Sequence, residues 1–438
     1  MKNVLIIAYY FPPSGGPGGQ RVLKHVRYLP EFGYEPIVLT VSNGQFPARD
    51  ESLFKEIPEH TKVYRTPIYE PYDFYRLVTG KKAGSAIDVN TIKKEGEKLG
   101  LSERFAEFIR ATFFIPDARM LWQLTARKEI LRISRLHKLD AVVSSSPPYT
   151  CSLLARYAKR KLGIPWIAEF RDPWTGFISS PKRWFLPRAI DKHLEHSVFK
   201  EADAVEYAWK GIMIDAFEKY PELNAKKFHH IPNGFDSNDF PKLEVQKNKS
   251  FTLTYTGSLY GRRNPASLFA SIEMLIKDGK LKSDDFTLRF VGRFGAEIEE
   301  MFDTASFRDS IERISYLPHS ESIKQLLQSD TLLLIVDESK ESKEIVPGKV
   351  YEYIGVKKPI IAIAPHESAI ADLLEETQSG KTAHQSEIDY TANIFLDLLQ
   401  NWKSGNNPFQ PNEVAIQKYE RRESAKKLAS LLDSVVLT

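Results

Sequence analysis

Two glutamates, Glu344 and Glu352, lie in the part of the sequence that offers the most chemistry, EIVPGKVYEYIGVKKPIIAIAP. Pro347-Gly348 predicts a turn before a short helix, and IIAIA predicts a buried parallel strand after it. A helix N-terminus presents free N–H groups and a positive dipole end, which bind phosphate, and acids beside it could hold sugar hydroxyls. An ordinary βα turn with solvated acids has the same composition, so this stretch by itself leaves both interpretations open.

Three other loops combine glycine or charge with a position at the predicted end of a strand. They are SGGPGGQR (residues 14–21), EFRDPW (169–174) and TGSLYGRRNP (256–265). Glycines in the first loop let the backbone approach an anion, and the arginine forks of the third suit a diphosphate, although a solvated turn explains them equally well. The second loop suits either a hydroxyl-bearing ligand or an internal salt-bridge cluster. Since open α/β sheets bind ligands at the carboxyl ends of their strands, all three are candidate site segments.

The glycine-rich loop does not complete a dinucleotide fingerprint. Gly16 and Gly18 could supply the first two glycines of G-x-G-x-x-G, but Arg21 fills the third position, and no acid ends the second predicted strand. His229-His230 precedes a Pro-Asn-Gly turn, where a structural role is favoured over a metal pair. The sequence has no D-x-D, C-x-x-C or H-E-x-x-H motif, so no metal site is predicted, and it also lacks the G-x-S-x-G elbow of hydrolases.

The composition favours a protein of the cytoplasm. The 438 residues suffice for two domains of ordinary size, and the net charge of +4 is too small to argue for a nucleic-acid partner. Cys151 is the single cysteine, which excludes an internal disulfide and favours a reducing compartment. The apolar run at residues 4–11 lacks a basic leader, and no run reaches the ~20 apolar residues of a transmembrane helix. We therefore expect a soluble or membrane-surface protein.

Apolar runs alternate with amphipathic segments along most of the chain. A strand at residues 3–11, a helix at 20–32 and a strand at 36–40 open the first half. A helix at 121–136, a strand at 141–145, a helix at 151–162, a strand at 165–170 and a helix at 190–199 follow. In the second half, strands are predicted at 252–256, 287–291, 313–317, 331–336 and 360–364, with helices between them. This alternation predicts an α/β protein with two parallel-sheet domains, at residues 1–240 and 250–410, and a closing helix at 411–438.

An insertion interrupts the first domain at about residues 70–125. Within it, residues 101–113 predict an amphipathic helix with Phe105, Phe108 and Phe113 on its apolar face. Further along, PKRWFLPR (residues 181–188) mixes cations with apolar side chains. Both segments suit docking on an anionic lipid surface. The alternative is that the phenylalanines belong to the core and the cations are solvated.

Taken in order and with their spacing, these segments resemble family-4 retaining glycosyltransferases of the GT-B fold. The segments are YYFPPSGGPGGQR, EFRDPW, IPNGFD, YTGSLYGRRNP and the Glu344–Glu352 pair followed by KKPIIA, so the resemblance covers nearly the whole chain. It implies two Rossmann-like domains facing across a cleft, an acceptor-side domain first and a nucleotide-sugar-binding domain second. The C-terminal helix is expected to return towards the N-terminal domain. EFRDPW and PGKVYEY are similar to a subgroup that builds bacterial surface polysaccharides.

The resemblance assigns roles to individual residues. Glu344 matches the acid that contacts the transferred sugar, and Glu352 matches the acid that holds the nucleotide ribose. Arg171, with Asp172 beside it, stands where many relatives have a catalytic-site histidine, so both are candidate catalytic residues. The expected donor-binding residues are Gly18, Gly19, Ser258, Arg262, Arg263, Pro318, His319, Ser320, Pro347, Gly348, Lys349 and Glu352.

One departure from the family concerns the donor diphosphate. Many relatives carry an arginine just after the glycine that ends the first strand of the second domain, but here that residue is Ser258. The positive charge for the diphosphate is then expected from Arg262, Arg263 or Lys349. Residues 318–320 lie where the nucleobase is usually met by backbone groups.

The resemblance implies a retaining glycosyltransferase that moves a sugar from a nucleoside-diphosphate sugar to an acceptor hydroxyl, in surface polysaccharide or glycolipid synthesis. No cofactor or metal is expected. The expected partners are the nucleotide sugar, a sugar or lipid-linked sugar acceptor, and the anionic inner face of the cell membrane. Two alternatives stay open: a nucleotide-sugar epimerase or hydrolase of the same fold, and a non-catalytic partner of a polysaccharide assembly.

The two glutamates predict different kinetic effects. A contact with the sugar strengthens as its bond breaks, whereas a bond to the ribose is the same before and during the reaction. Removing a hydrogen bond to a charged group costs roughly 1.5–3 kcal/mol, or about 10- to 150-fold. Glu344→Gln should therefore lower kcat by at least about 10-fold with little change in donor KM, whereas Glu352→Gln should mainly raise donor KM.

Steady-state kinetics at saturating acceptor measure both effects, and circular dichroism checks that each variant is folded. Equal, small effects from the two substitutions would mean that the pair is structural, and the assignment of the site would fall with it.

Overall fold

Two parallel β-sheets account for the alternation in the sequence. The structure is a computed structural model that describes residues 1–46, 49–69, 101–177, 180–244, 246–337, 343–406 and 409–436. Within these ranges, side chains are described except at residues 17 and 101–106. Residues 70–100 of the predicted insertion and the side chain of Phe105 therefore lie outside the described part of the chain.

The first sheet contains β1 (Lys2–Ala8), β2 (Tyr34–Val41), β3 (Lys62–Thr66), β4 (Ala141–Ser146), β5 (Trp166–Phe170), β6 (Ala204–Tyr207) and β7 (Phe228–His230). The helices of this region are α1 (Pro17–Tyr28), α2 (Leu101–Phe113), α3 (Gln123–Leu136), α4 (Thr150–Leu162), α5 (Phe185–Glu201) and α6 (Lys210–Lys219). The strand order is β3-β2-β1-β4-β5-β6-β7, and neighbouring strands are parallel. The order reverses between β1 and β4, so their carboxyl ends border the crevice in which such sheets bind ligands.

The second sheet contains β8 (Phe251–Leu259), β9 (Phe286–Phe294), β10 (Ile311–Ser315), β11 (Thr331–Ile335), β12 (Ile360–Ile363) and β13 (Gly380–Ala383). Its helices are α7 (Ala266–Lys277), α8 (Ala296–Thr304), α9 (His319–Leu327), α10 (Gly348–Val356), α11 (Ala369–Thr377), α12 (Ile388–Ser404) and α13 (Glu413–Gln417). The order is β10-β9-β8-β11-β12-β13, again with parallel neighbours. Here the order reverses between β8 and β11, which makes the carboxyl end of β8 the expected ligand position.

Short 3₁₀ helices occur in several connections. They span Leu29–Phe32, Glu51–Glu56, Met120–Trp122, Ala225–Lys227, Ser237–Asp239, Ser283–Asp285 and Arg308–Ser310.

The last helix, α14 (Arg421–Val436), belongs to the first sheet's unit. Its buried Leu428 and Leu432 share a hydrophobic core with Val22 and Val26 of α1. The chain accordingly divides into one unit of Met1–Asn233 with Arg421–Thr438 and a second unit of Gly234–Glu420. The C-terminal helix thus returns to the N-terminal unit, as the resemblance implies.

Most departures from the sequence-based prediction are at the edge strands, although the inner strand β6 was not predicted either. At the edges, β3, β7 and β13 were not predicted, and β10 forms at residues 311–315 where 313–317 was predicted. Each of these strands lies at an edge of its sheet, is only partly buried and lacks the continuous apolar run that marks a central strand. By contrast, the central strand β11 is buried along its whole length.

Helix α5 also begins earlier than predicted, at Phe185 and not at residue 190. Pro187 lies in the first turn of this helix. Proline is tolerated there because the amides of the first turn have no partner within the helix. The apolar residues before residue 190 therefore belong to the helix.

Candidate functional site

The carboxyl end of β8 meets the amino end of α10. Tyr353, in the second turn of α10, accepts a hydrogen bond from the backbone N–H of Thr256 in β8 at 2.8 Å. Its hydroxyl also lies 3.2 Å from the Thr256 hydroxyl, and the Tyr353 side chain is fully buried. Gly257 follows with φ of 122°, a conformation that glycine adopts without strain. These contacts hold the start of α10 against the carboxyl end of the sheet.

Two cationic side chains lie at this junction. Nζ of Lys349, in the first turn of α10, donates to the carbonyl oxygen of Thr256 at 3.1 Å and lies 3.8 Å from the centre of the Tyr255 ring. A Cβ at Gly257 would lie 3.2 Å from the same Nζ, so the glycine keeps this space open. The charge of Arg263 acts on Lys349, and the buried Nε of Arg263 has no hydrogen-bond partner among the described residues.

The charges at this junction favour a bound anion. Burial lowers the pKa of Lys349 well below its ordinary value, and the charge of Arg263 lowers it further, whereas Glu352 acts in the opposite direction. The N-terminus of α10 adds backbone N–H groups and the positive end of the helix dipole. We call this combination of Lys349, Arg263, Gly257 and the α10 N-terminus the anion site. It suits a phosphate or a diphosphate.

The structure distinguishes among the three cations that the sequence left as alternatives. The charge of Arg263 acts on Lys349, whereas Arg262 and Ser258 are exposed to solvent.

The other donor-site candidates around α10 lie at its amino end. Pro347 is the N-cap of α10, and Gly348 is its first residue, so both border the anion site. Glu344 is half-buried in the turn three residues before that N-cap.

Glu352 lies one turn beyond Lys349 on α10 and pairs with His319. Nε2 of His319 and Oε1 of Glu352 are 2.8 Å apart. His319 is the first residue of α9, Pro318 is the N-cap of that helix, and Ser320 is exposed. The segment proposed to meet the nucleobase is therefore a helix N-terminus in contact with the residue proposed to hold the ribose.

In the first unit, Arg171 lies against the glycine-rich start of α1. A Cβ at Gly18 would be 1.9 Å from Nη1 of Arg171, so a larger residue would displace the guanidinium. The guanidinium also donates to the carbonyl oxygen of Pro147. Asp172 is half-buried, and burial raises its pKa against the opposing charge of Arg171. Residues predicted from two separate loops therefore come together here.

The residue in the third glycine position of the loop, Arg21, is fully buried. Its Nη2 pairs with Glu206 of β6, and its Nε lies 3.2 Å from Oε2 of Glu169 in β5. It also donates to the carbonyl oxygens of Ile231 at 2.7 Å and Pro232 at 2.9 Å. Arg21 thus ties α1 to two strands and to the segment after β7. The sequence left two interpretations open for EFRDPW, and for Glu169 the structure supports the internal salt-bridge cluster.

The same cluster contains potential metal ligands. In the described part of the chain, such ligands converge at His25, Glu169 and Glu206, where the Arg21 guanidinium already supplies positive charge. Burial lowers the pKa of His25 to about 3, with a further contribution from Arg21. Burial raises the pKa of Glu206 to about 7. For Glu169, burial also acts to raise the pKa, but the charges of Arg21, His25 and Arg171 and the hydrogen bond from Ser145 together outweigh it, so its pKa is lowered. This cluster is therefore an internal charge network of the fold.

Sequence reasoning missed the residues that hold the candidate site in place. Tyr353 and Thr256 fix α10 to β8, but nothing in their spacing marks them as hydrogen-bonded partners. For Arg21 a signal existed. A long cation in a loop where close backbone approach is expected must either reach solvent or find buried partners.

Comparison with known proteins identifies the fold. No family model matches the chain, and no curated protein matches it either. Among solved structures, Anabaena HepE in complex with UDP and glucose shares 13% identity over 99% of this chain and 100% of that chain, with a TM-score of 0.56. The lipopolysaccharide outer core galactosyltransferase WaaB shares 14% identity over 98% and 99%, with a TM-score of 0.54. The chain has the GT-B fold.

These likenesses extend to proteins of different function. The N-terminal domain of Candida albicans trehalose-6-phosphate phosphatase matches with a TM-score of 0.64 at 10% identity, over 99% of this chain and 97% of that chain. Since one fold hosts many reactions, the function has to be argued from the site.

The anion site predicts a pH-dependent affinity for nucleoside diphosphates. In the empty site Lys349 loses its proton at lower pH than an ordinary lysine, and a bound diphosphate raises its pKa again. Affinity is then full below the pKa of the empty site and is lost as pH rises through the pKa of the occupied site. Titration calorimetry with UDP over a pH series that stays below the ordinary lysine pKa of about 10.4 should show this fall, and Lys349→Arg, which stays charged, should flatten it.

Substitution of the three cations tests the composition of the anion site. Lys349→Met and Arg263→Met should each weaken UDP binding by about 10- to 150-fold, the value of one hydrogen bond to a charged group. Arg262→Met is the matched control and should stay within about two-fold of wild type, as an exposed charge contributes little. A larger effect for Arg262→Met than for Lys349→Met would contradict the assignment.

Proposed function

We propose that the chain is a glycosyltransferase that moves a sugar from a nucleoside-diphosphate sugar to an acceptor hydroxyl with retention of configuration and without a metal ion. The observation that carries the proposal is the anion site, with Glu352 one helical turn away on the same helix. Side chains at positions i and i+3 of a helix are neighbours, with Cβ atoms about 5–6 Å apart. A diphosphate at Lys349 would therefore place its ribose near the Glu352 carboxylate. The complex of HepE with UDP and glucose supports this ligand class.

In the proposed reaction the bond between the sugar C1 and the diphosphate oxygen breaks, and its electron pair stays on that oxygen. The acceptor oxygen forms the new bond to C1 on the same face of the sugar and passes its proton to the departing diphosphate. Charge on the diphosphate grows in the transition state, so Lys349, Arg263 and the amides at the start of α10 stabilise it most at that point. Glu344 is proposed to contact the sugar. This reaction requires no protein nucleophile.

The first unit is proposed to serve the acceptor side. Arg171 beside the glycine-rich start of α1 provides a positive group there, and we keep Arg171 and Asp172 as the catalytic candidates of this unit. WaaB is described as a lipopolysaccharide outer core galactosyltransferase, which supports a surface polysaccharide or glycolipid as the acceptor class.

Nucleotide-sugar binding and acceptor dependence test the proposal. Among UDP-, GDP- and ADP-sugars, one should stabilise the protein by about 2.7 kcal/mol at roughly 100 times its Kd in thermal melting. With that donor, release of nucleoside diphosphate should require an acceptor and should persist after treatment with EDTA. Turnover without acceptor would replace transfer by hydrolysis or epimerisation, and no stabilisation by any donor would overturn the proposal.

We also propose that the chain docks on an anionic membrane surface through the start of α5. None of the described helices is long and apolar enough to cross a membrane. Phe185 is 72% exposed, and Trp184, Leu186 and Ile190 are exposed beside it. Lys182, Arg188 and Lys192 are exposed in the same segment and would face acidic headgroups.

The neighbouring end of α2 extends this surface. Phe113 is 65% exposed, and Trp184 donates from Nε1 to the hydroxyl of Thr112 at 2.9 Å. Arg183 fixes the two helices together, since it pairs with Asp191 at 2.8 Å and donates to the carbonyl oxygen of Ala111 at 2.6 Å. Phe108 and Phe113 are both exposed, so these two side chains do not belong to the core.

Vesicle sedimentation tests the membrane proposal. The protein should sediment with anionic vesicles at low salt and much less at high salt, because each Lys or Arg near the surface contributes only about 1 kcal/mol of screened attraction. A variant with Phe185→Ser and Leu186→Ser should lose binding. Tyr390→Ser, at an exposed aromatic of the second unit, is the matched control. Absence of wild-type binding at low salt would remove the proposal.

A further inference from the structure

A hydrogen bond joins the first residue of α9 to the acid beside the anion site. His319 Nε2 lies 2.8 Å from Glu352 Oε1, and the two residues are 33 positions apart in the sequence. An ionised carboxylate has no proton to donate, so the imidazole N–H is the donor. The bond therefore fixes the orientation of the Glu352 carboxyl group.

This bond uses one of the two carboxylate oxygens of Glu352. The side chain of Glu352 is 27% exposed and that of His319 is 28% exposed, so the pair lies at the surface of the second unit and is open to a ligand. A glutamate at a surface otherwise samples several rotamers, and a ligand that needs one of them binds more weakly by the entropy lost on fixing it. The hydrogen bond from His319 already orders the Glu352 side chain in the free protein, so ligand binding loses less entropy.

The placement of the pair matches one part of a nucleoside diphosphate. Lys349 and Glu352 lie three residues apart on α10, and the charge of Glu352 acts on Lys349. A ligand whose phosphates occupy the anion site therefore brings its ribose hydroxyls to the carboxylate that His319 holds.

We propose that His319 is a positioning residue for ribose recognition. Its Nε2–H holds Oε1 of Glu352, so that Oε2 accepts a hydrogen bond from the 2′- or 3′-hydroxyl of the nucleotide. The inference rests on the proposed function, since it concerns how the same site selects a ribonucleotide. The alternative is that the pair only ties α9 to α10 and has no effect on the ligand.

Binding of UDP and of 2′,3′-dideoxy-UDP separates these roles. His319→Ala should weaken UDP binding by about three- to ten-fold, the cost of ordering one side chain, and should leave dideoxy-UDP binding unchanged. Glu352→Gln should also affect UDP alone. The double variant with both substitutions should bind UDP no more weakly than Glu352→Gln, because His319 acts through that carboxylate. His319→Gln, whose amide can still donate, should restore most of the affinity, whereas the shorter His319→Asn should not.

A second histidine–glutamate pair supplies the matched control. Nε2 of His366 lies 2.7 Å from Oε2 of Glu387, at an exposed position of the same unit. His366→Ala should leave the affinities for UDP and for dideoxy-UDP unchanged. Melting temperatures without nucleotide show whether each variant keeps its stability.

The outcomes distinguish the inference from the function on which it rests. If wild type binds a GDP or ADP ligand in place of UDP, that nucleotide and its dideoxy form are used in the same way. If His319→Ala weakens both forms equally, or weakens neither, the positioning role is overturned while the proposed function stands. If wild type binds no nucleoside diphosphate, the proposed function is overturned and this inference with it.

Discussion

A single buried arginine holds the first unit together at the place where its candidate site begins. The Arg21 guanidinium joins α1 to Glu169 of β5, to Glu206 of β6 and to the carbonyl oxygens of the segment at 231–232. A charge so deeply buried is tolerated only when opposite charges and hydrogen bonds compensate it, and removing one partner of such a pair typically costs about 3–5 kcal/mol. The direction of α1, and with it the position of its glycine-rich start, depends on this network.

The network also reaches the surface of the site. Glu169 lies 3.9 Å from Nε of Arg171, whose guanidinium contacts Gly18. The interior carboxylate therefore lies beside two arginines, the fully buried Arg21 and the partly buried Arg171 at the start of α1. The residue types that could have marked a metal centre, His25, Glu169 and Glu206, are instead organised around an arginine.

The second unit achieves a similar result with a neutral hydrogen bond. Tyr353 and Thr256 lock α10 to β8, and this contact places the helix N-terminus and Lys349 beside the carboxyl end of β8, where the charge of Arg263 acts on Lys349. Burial and the charge of Arg263 both oppose the protonated form of Lys349, so this arrangement costs stability unless an anion lies beside it. Such a conflict between stability and charge is a more specific functional signal than the fold, which is shared by proteins with different reactions.

Local patterns in the sequence were enough to predict the α/β class, most of the central strands and the order of the site loops. These features depend on local periodicity and composition, since a strand covered on both faces must be apolar along its length. The sequence also supplied the Glu344–Glu352 spacing and the three candidate cations of the second domain.

Which of these residues influence one another depends on the tertiary fold. The fold lets the charge of Arg263 act on Lys349 and leaves Arg262 exposed, it buries Arg21 and Glu169, and it brings His319 to Glu352 across 33 residues. It also revealed the short edge strands β3, β7 and β13, which gain their stability from a neighbouring strand and not from their own sequence. The physical reason is the same in each case. A side chain's partners come from elements distant in the chain, and strand order and helix docking bring these together in ways that local patterns do not encode.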